Sequence, residues 1–344
     1  MAFHTPYRPL DVTVPFPELI PWARTGTRLH PRPGAPTAGE SSVGGPLLWP
    51  AGEAWPGCAE HERVYGMSPE RVRRHRRILR EVRQRPRTAD GQPAYTAEEQ
   101  VELDELTRAE GRPDRRDGGP LPLLALAQLY VRDVPDLAPF APPGTDLLQV
   151  LWCPFSEHED GPFAHRCPYT RLFWRRAADV TEPLAVMPEP GVVGREYYVP
   201  EPCVLHPEQV TEYPYADYLP AGLVARIDAW EDELIVRMGD LAPGYQYDLS
   251  LAPGWKAGGW ESWHKTDLVR VFCDVCGTEM RVLLTIDTYE KNRPDCSWEP
   301  FDLPFDLPFD RLNGATGIKV GRDGEYRAFV CPTDPAHPHR MRLQ

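Results

Sequence analysis

Two stretches of the chain carry the same features in the same order, and this recurrence restricts the fold more than any other property of the sequence. In each stretch a Gly-Gly pair stands four residues before a tryptophan, a CxxH or CxxC motif follows, and an apolar run later ends in Cys-Pro with a histidine beyond it. Each stretch also contains a leucine-rich run between its CxxH or CxxC motif and its Cys-Pro, "LLALAQL" at 123–129 in the first and "LLTIDTY" at 283–289 in the second. We interpret the chain as a tandem duplication of two similar halves.

Each half supplies four side chains of the kinds that bind transition metals. The set of the first half is Cys58, His61, Cys153 and His158, and that of the second half is Cys273, Cys276, Cys331 and His337. Structural zinc sites take four nitrogen or sulfur ligands in a tetrahedron, and a CxxC motif presents two of them. We therefore predict two structural zinc sites, of which the second, with its CxxC, has the stronger motif.

Several alternatives stay open on the sequence alone. His339 and Asp334 lie close enough to His337 in the chain to replace it, and His165 or Cys167 can take the place of a first-half ligand. The cysteines can also be buried thiols that pack as small apolar side chains. A redox role for the CxxC is disfavoured, because an apolar strand follows it, whereas thioredoxin-like pairs begin a helix.

Charge and composition restrict the partners. The 344 residues carry a formal net charge of −13, which disfavours nucleic acid and favours a basic protein, since binding to phosphates requires basic surface. The first forty residues contain no apolar run long enough for a signal peptide or a membrane span. We expect a cytoplasmic protein without membrane association, where cysteines are more typical of metal sites than of disulfides. The sequence leaves the oligomeric state open.

The 41 prolines favour short strands joined by turns over long helices. Runs such as "DLLQVLWCP" and "RVLLTIDTYE" predict β-strands, a helix is expected across 221–239, and "FDLPFDLPFD" at 301–310 predicts a loop with buried phenylalanine anchors. The predicted fold class is α+β, predominantly antiparallel β. We divide the chain into a Pro-rich lead-in at 1–40, a first half at 41–200 and a second half at 201–344.

Residues 68–112 interrupt the first half with a predicted helical hairpin. Ser68 caps the first helix, and Thr96 with Glu99 forms a capping box for the second, which we expect to stop at Gly111. The first helix is strongly basic and the second strongly acidic, so we predict that they pair by charge. An RNA contact through the basic helix is the alternative, but the acidic helix would cancel its field.

Five stretches carry a family resemblance, and they extend from about Ala23 over most of the chain. They contain "ESSVGGPLLWPAGEAWPGC", "LLALAQL", "DLLQVLWCPFSEH", "KAGGWESW" and "CDVCGTEMRVLLTIDTYE". Together they resemble the YwqG-like family of bacterial proteins of unknown function. The Gly-Gly, CxxC and Leu-Leu core is more distantly similar to the eukaryotic programmed-cell-death-protein-2 group.

The resemblance implies an α+β fold dominated by antiparallel strands in two pseudo-equivalent halves. It also implies protein binding, because the eukaryotic relatives escort a newly made small-subunit ribosomal protein and bacterial members occur in toxin–immunity neighbourhoods. A chaperone-like or immunity-type role is therefore what the resemblance implies. The identity of the partner lies in loops that differ between members.

Motifs of catalysis such as GxSxG, a phosphate-binding glycine-rich loop and HExxH do not occur in the sequence. We therefore predict a non-catalytic protein-binding module, not an enzyme. Trp55 and Trp260, which have no counterpart in the other half, are the predicted partner-binding residues, whereas Trp49 and Trp263 recur and are expected in the core. The alternatives are a metal-dependent hydrolase that uses the first-half site with a bound water, and a structural or scaffold protein.

Overall fold

The computed structural model describes residues 4–59, 61, 64–88, 90–108, 110–112, 119–155, 158, 168–290, 297–301 and 314–344. The α-helices in this part of the chain are α1 (Pro69–Arg83), α2 (Ala97–Thr107) and α3 (Ala221–Met238). The strands are β1 (Arg24–Arg28), β2 (Arg32–Pro33), β3 (Ser42–Val43), β4 (Gly57–Cys58), β5 (Val64–Gly66), β6 (Glu110–Arg112), β7 (Leu121–Pro122), β8 (Leu124–Tyr130), β9 (Leu147–Trp152), β10 (Thr170–Arg175), β11 (Cys203–Val204), β12 (Glu208–Glu212), β13 (Lys256–Gly258), β14 (Arg281–Asp287), β15 (Glu325–Val330) and β16 (Arg340–Leu343). Short helical turns occupy Pro17–Trp22, Pro135–Phe140, Ala177–Asp179, Glu196–Tyr198, Ala216–Tyr218, Gly239–Leu241 and Tyr245–Ser250.

Two six-stranded sheets form most of the body. Sheet I has the order β10-β9-β8-β3-β11-β2, and sheet II has the order β12-β1-β13-β14-β15-β16. Neighbouring strands pair antiparallel in both sheets. The predicted fold class, α+β with predominantly antiparallel strands, is therefore confirmed, and the apolar runs predicted as strands form β8, β9, β14 and β15.

Each sheet takes a strand from the far side of the predicted division at residue 200. β1, from the Pro-rich lead-in, lies in sheet II between β12 and β13, and β11 lies in sheet I between β3 and β2. Gly26 of β1 pairs with Gly258 of β13, and a Cβ at Gly26 would stand only 3.2 Å from the Cα of Gly259. The lead-in thus contributes β1 to sheet II, where glycine permits this close approach of two strands, and β2 to the edge of sheet I.

The two Gly-Gly pairs lie in equivalent strand arrangements. The order β3-β8-β9 in sheet I matches β13-β14-β15 in sheet II. Val43, just before the first Gly-Gly pair, pairs with Ala127 of β8, and Ala257, just before the second pair, pairs with Leu284 of β14. The leucine that precedes each of these partners, Leu126 in β8 and Leu283 in β14, is skipped in the register with the next strand, β9 or β15. Leu126, rather than Leu123, is therefore the structural counterpart of Leu283. The likeness concerns strand order and β-bulges, and the duplication itself stays a prediction.

A polar contact at Asp136 joins the two sheets beside their shared apolar core. Its carboxylate accepts hydrogen bonds from the hydroxyls of Thr25 and Thr27 on β1, the latter at 2.6 Å, and from the amide of Gln209 on β12. Because the carboxylate is almost buried, these donors compensate for its desolvation. Around it, buried apolar residues of both sheets form one cluster that includes Leu124, Val150, Leu284 and Ala328.

The predicted hairpin is present between β5 and β6, which pair with each other. Ser68 caps α1, and the capping box of Thr96 and Glu99 begins α2. Glu99 accepts from Arg85 on the other side of the hairpin, and Arg74 pairs with Glu102, so the two helices do pair by charge. The predicted end at Gly111 is wrong: α2 ends at Thr107 because residues 110–112 are drawn into the β5–β6 ribbon.

Two further expectations have structural outcomes. Among the described residues, no helix combines the length and the apolar character that crossing a membrane requires. The expected helix across 221–239 is confirmed as α3. Most of the predicted "FDLPFDLPFD" loop, residues 302–310, lies outside the described residues, and Phe301 at its start is exposed rather than buried.

We expect Asp287 to make the stability of the fold depend on pH. Burial, together with the nearby Glu325 carboxylate, raises the pKa of Asp287 to about 7, above the value of about 4 in an unfolded chain. The folded chain therefore binds more protons than the unfolded chain between these values, and stability falls as pH rises through this window. The measured quantity is the melting temperature of Asp287→Asn minus that of the wild type. We expect this difference to be larger at pH 8 than at pH 5 by about 3 °C or more. Thermal unfolding followed by circular dichroism measures both melting temperatures, and a difference that is equal at the two pH values would contradict the prediction.

Candidate metal centres

The first-half ligands meet where the ends of β4 and β9 face each other. Cys58 ends β4, which pairs with β7 immediately before β8, and Cys153 directly follows β9. The Nε2 atom of His61 lies 3.1 Å from the Sγ atom of Cys153 and 3.1 Å from the Nε2 atom of His158. One ligand atom from each of the four side chains lies within 4.8 Å of all the others. The first predicted set is thus assembled in space.

The second-half ligands meet at the corresponding place in sheet II. Cys273 and Cys276 lie in a tight turn, in which the N–H of Gly277 donates to the carbonyl of Cys273 at 2.8 Å and the N–H of Cys273 donates to the carbonyl of Thr278 at 2.9 Å. Gly277 has a φ of +69°, which favours glycine at this position. Cys331 directly follows β15. The turn therefore presents both sulfurs of the CxxC to the end of β15.

In the second site, the short contacts connect the CxxC turn with the segment that follows β15. The Sγ atom of Cys276 lies 3.5 Å from that of Cys331, and the Sγ atom of Cys273 lies 3.4 Å from the Nδ1 atom of His337. Again one ligand atom from each of the four residues lies within 4.8 Å of all the others. A disulfide would need the two sulfurs at about 2.05 Å, so Cys276 and Cys331 are separate thiols.

These separations fit a tetrahedral metal site. In a regular tetrahedron the ligand–ligand distance is about 1.63 times the metal–ligand distance, so zinc at about 2.3 Å from sulfur and about 2.0–2.1 Å from nitrogen places its ligand atoms about 3.3–3.8 Å apart. In the second cluster the contacts of 3.4 and 3.5 Å lie within this range, and in the first cluster two contacts of 3.1 Å are slightly shorter. The clusters differ in chemistry, since the first offers two sulfurs and two nitrogens and the second offers three sulfurs and one nitrogen.

The local environment favours the thiolate at two of the three cysteines of the second site, whereas burial raises the pKa of the third, Cys273. Hydrogen bonds from the hydroxyl and the backbone N–H of Thr278 lower the pKa of Cys276 to about 6. Burial acts to raise the pKa of Cys331, but the backbone N–H groups of Asp334 and Thr333 and the His337 side chain outweigh it and lower that pKa. Because the thiolate is the form that ligates metals, this arrangement suits a cation. This role of Thr278 was not predicted from the sequence. Its position two residues after the CxxC is the one signal in the sequence that points to it.

The structure distinguishes the candidates for the fourth ligand of the second site. His337 faces Cys273 with its Nδ1 atom, while its Nε2 atom lies 3.6 Å from a carboxylate oxygen of Asp334. Asp334 therefore stands behind the histidine, the usual place of a carboxylate that orients a metal-ligating ring. His339 points elsewhere, with its Nε2 atom 3.0 Å from the carbonyl oxygen of Thr170 on β10. His165 and Cys167, the alternatives for the first site, lie outside the described residues.

The two clusters differ in exposure. In the first, Cys58, Cys153 and His158 are buried and His61 is 9% exposed. In the second, Cys273 and Cys331 are buried, His337 is partly exposed and Cys276 is exposed. Each cluster also contributes its two most buried cysteines to a local apolar core. A metal at either place would therefore lie between sheet and loop rather than in an open cleft.

The tryptophans separate into core and partly exposed positions. Trp49 and Trp263 are buried, as expected. Trp55 is half-buried, packs 5.1 Å from the ring of Trp49 and donates its Nε1–H to the carbonyl of Leu123. Trp260 is only 4% exposed, and the guanidinium of Arg24 covers its ring at 3.3 Å. Trp260 therefore has no open face for a partner, while the prediction for Trp55 stays a prediction.

In comparisons with known proteins, no protein-family model matches the chain and no curated protein matches it. The YwqG-like resemblance accordingly stays a prediction that rests on the motifs given above.

Proposed function

We propose that the chain is a non-catalytic protein-binding module whose two halves are each stabilised by a structural zinc ion. The observation that carries the proposal is the assembly of four soft ligands in each half, with their ligand atoms all within 4.8 Å of one another. Four protein ligands complete the coordination shell of zinc, whereas catalytic zinc has three and keeps one position for water. The alternative of hydrolysis at the first-half site requires such an open position.

Zinc would stabilise the fold by joining segments that are distant in sequence. In the second half it would link the CxxC turn before β14 to the chain just after β15, and in the first half the end of β4 to the chain after β9. In both places the metal would add a direct link to the local apolar core in which two of the cysteines are already buried. Metal binding then contributes directly to the free energy of folding.

The acidic charge supports a basic protein as the partner. A net charge of −13 accelerates association with basic proteins and opposes association with phosphate backbones. A chaperone-like or immunity-type role follows from the family resemblance and belongs to the same proposal. Binding of this kind should weaken as salt is added, because exposed charges are screened over about 8 Å at physiological ionic strength.

Elemental analysis tests the metal part of the proposal. We expect two zinc ions per chain in protein purified without chelator, because each half holds a complete ligand set. Substitution by Co²⁺ should produce the intense visible bands of tetrahedral coordination and not the weak bands of an ion with bound water. Protein without zinc, with Cys58 and Cys331 freely alkylated in the native state, would overturn it.

Activity assays separate the binder from the hydrolase. We expect no turnover of ester, peptide or phosphodiester substrates by the zinc-loaded protein. Hydrolysis that His158→Ala abolishes would support the hydrolase instead. Zinc content is measured on the same samples, so that loss of activity is distinguished from loss of metal.

A further inference from the structure

Cys276 differs from the other candidate ligands in its exposure to solvent. Of the six cysteines that the structure describes, it is the one that is exposed, whereas Cys273 is 3% exposed and Cys331 is fully buried. The remaining ligand of the second site, His337, is partly exposed. A reagent dissolved in water therefore meets the sulfur of Cys276 before it meets the other two sulfurs of this site.

The turn around Cys276 has an open outer side. Val275, next to it, is 62% exposed, and Phe272, just before the CxxC, is 51% exposed. A Cβ placed on Gly277 would meet no heavy atom within 4 Å apart from its own neighbours in the chain. Small molecules thus have access to the sulfur of Cys276 from the outside of the turn.

A second thiol lies behind the exposed one. The Sγ atom of Cys331 is 3.5 Å from that of Cys276, and a movement of about 1.5 Å would bring the two sulfurs to the length of a disulfide bond. Cys276 lies in a surface turn, outside any strand, so this movement does not require a sheet to shift. Cys273, by contrast, faces the Nδ1 atom of His337 at 3.4 Å. An exposed thiolate beside a second cysteine is the usual arrangement of redox-sensitive sites.

The first-half site is closed to solvent at both of its sulfurs. Cys58 is 3% exposed and Cys153 is fully buried. The ring of Phe155 packs against His61, with 4.7 Å between the ring centres. Because oxidation of a cysteine follows its exposure, an oxidant should distinguish the two sites although both contain cysteines.

We propose that hydrogen peroxide oxidises Cys276 and that Cys331 completes the reaction as a disulfide, which releases zinc from the second-half site. The inference rests on the proposed zinc-stabilised module and adds a redox control to one of its two sites. It differs from thioredoxin-like chemistry, since the disulfide joins Cys276 to the end of β15 and not to Cys273. The first-half zinc would stay bound under the same conditions.

The reaction balances in two steps. The thiolate sulfur of Cys276 attacks one oxygen of hydrogen peroxide, the O–O bond breaks, hydroxide leaves, and the sulfur becomes a sulfenic acid. The thiolate of Cys331 then attacks that sulfur, the S–O bond breaks and a second hydroxide leaves. Two thiolates are thus oxidised by one electron each, and one peroxide is reduced to two hydroxide ions. The disulfide removes two of the four zinc ligands, and Cys273 with His337 alone does not complete the coordination that a structural site needs.

Zinc release during oxidation tests the proposal. The whole chain with two bound zinc ions is treated with hydrogen peroxide, and pyridylazoresorcinol records the zinc that leaves, with a sample lacking peroxide as the baseline. We expect one ion per chain to be released and the other to stay bound. Mass spectrometry of peptides, after free thiols are alkylated, should show Cys276 linked to Cys331 and both Cys58 and Cys153 reduced. Dithiothreitol with added zinc should restore two ions per chain.

Two variants locate the reaction at Cys276. Cys276→His keeps a ligand at this position but removes the oxidisable sulfur, and it should hold two zinc ions and lose the second-half ion at least about tenfold more slowly in peroxide. Cys203→Ser removes a buried cysteine outside both clusters and should release zinc at the wild-type rate. Zinc content measured before oxidation shows whether each variant has kept both sites.

Other outcomes overturn the proposal. Release of both ions at the same rate would show that exposure does not distinguish the two sites. A disulfide between Cys273 and Cys276 would exclude Cys331 as the partner. Protein that holds no zinc before oxidation would overturn the proposed zinc-stabilised function, whereas zinc that stays in both sites during oxidation would overturn the redox control alone.

Discussion

Replacing Cys331 by serine is expected to lower the zinc content from two ions per chain to one and to reduce the melting temperature by about 10 °C or more. Cys331 is fully buried and contributes the sulfur that joins the end of β15 to the CxxC turn. A structural zinc site contributes at most about 10–16 kcal/mol to folding in small peptides, and a loss of several kcal/mol is expected in a chain with a large core. Elemental analysis and thermal unfolding measure the two effects.

Cys203 is the matched control for Cys331. It is also fully buried, but it belongs to neither metal cluster; burial raises its pKa to about 12, and its thiol lies 3.2 Å from the carbonyl of Ala315. Cys203→Ser should keep two zinc ions and lower stability by only about 1–2 kcal/mol. The zinc hypothesis for the second half is wrong if Cys331→Ser keeps both ions, or if the two variants have equal effects.

Replacing Lys256 by methionine is expected to destabilise the fold by about 3–5 kcal/mol. The ammonium of Lys256 on β13 donates to the carboxylate of Glu212 on β12 at 2.6 Å and to the carbonyl of Trp260 at 2.7 Å. Glu212 is 0% exposed and Lys256 is 3% exposed. Without the ammonium, the carboxylate stays buried, and the N–H groups of Ala252 and Trp260 are its partners among the described residues. Urea unfolding of the two proteins measures the difference.

Two comparisons make this result specific. Lys256→Met with Glu212→Gln should be less destabilised than Lys256→Met alone, because the second change removes the uncompensated charge. Arg270→Met breaks an ion pair with Glu279 of similar length, 2.8 Å, but on the surface, and it should cost less than about 1 kcal/mol. If Lys256→Met costs no more than Arg270→Met, the buried pair does not hold β12 and β13 on either side of β1.

Local patterns in the sequence predicted several elements well. The apolar runs of β8, β9, β14 and β15 carry the strand signal within themselves, and Ser68 and the Thr96–Glu99 box cap their own helices. The ligands were found for the same reason, since CxxC and Cys-Pro are short motifs that can be recognised without knowing the fold. Where a tertiary contact competes with a local signal, prediction failed, as at the end of α2.

The position of Leu126 illustrates a different limit. Matching Leu-Leu runs by letters aligns Leu123 with Leu283, but strand pairing aligns Leu126 with Leu283. A shift of three residues is invisible to a pattern of apolar residues in a run that is apolar throughout. The hydrogen bonds of β3 and β13 determine the register, and these strands lie far from β8 and β14 in sequence.

The sequence by itself determined that the apolar runs of β8, β9, β14 and β15 are strands, that α1, α2 and α3 are helices, and which eight side chains are candidates for metal binding, because periodicity, capping and motif spacing act within a few residues. Only the tertiary structure decided that β1 joins sheet II and β11 joins sheet I, that His337 rather than His339 faces the CxxC, and that Trp260 is covered by Arg24. These choices depend on packing between segments up to about two hundred residues apart. Such contacts are set by burial and hydrogen bonding across the whole molecule, and no local pattern contains them.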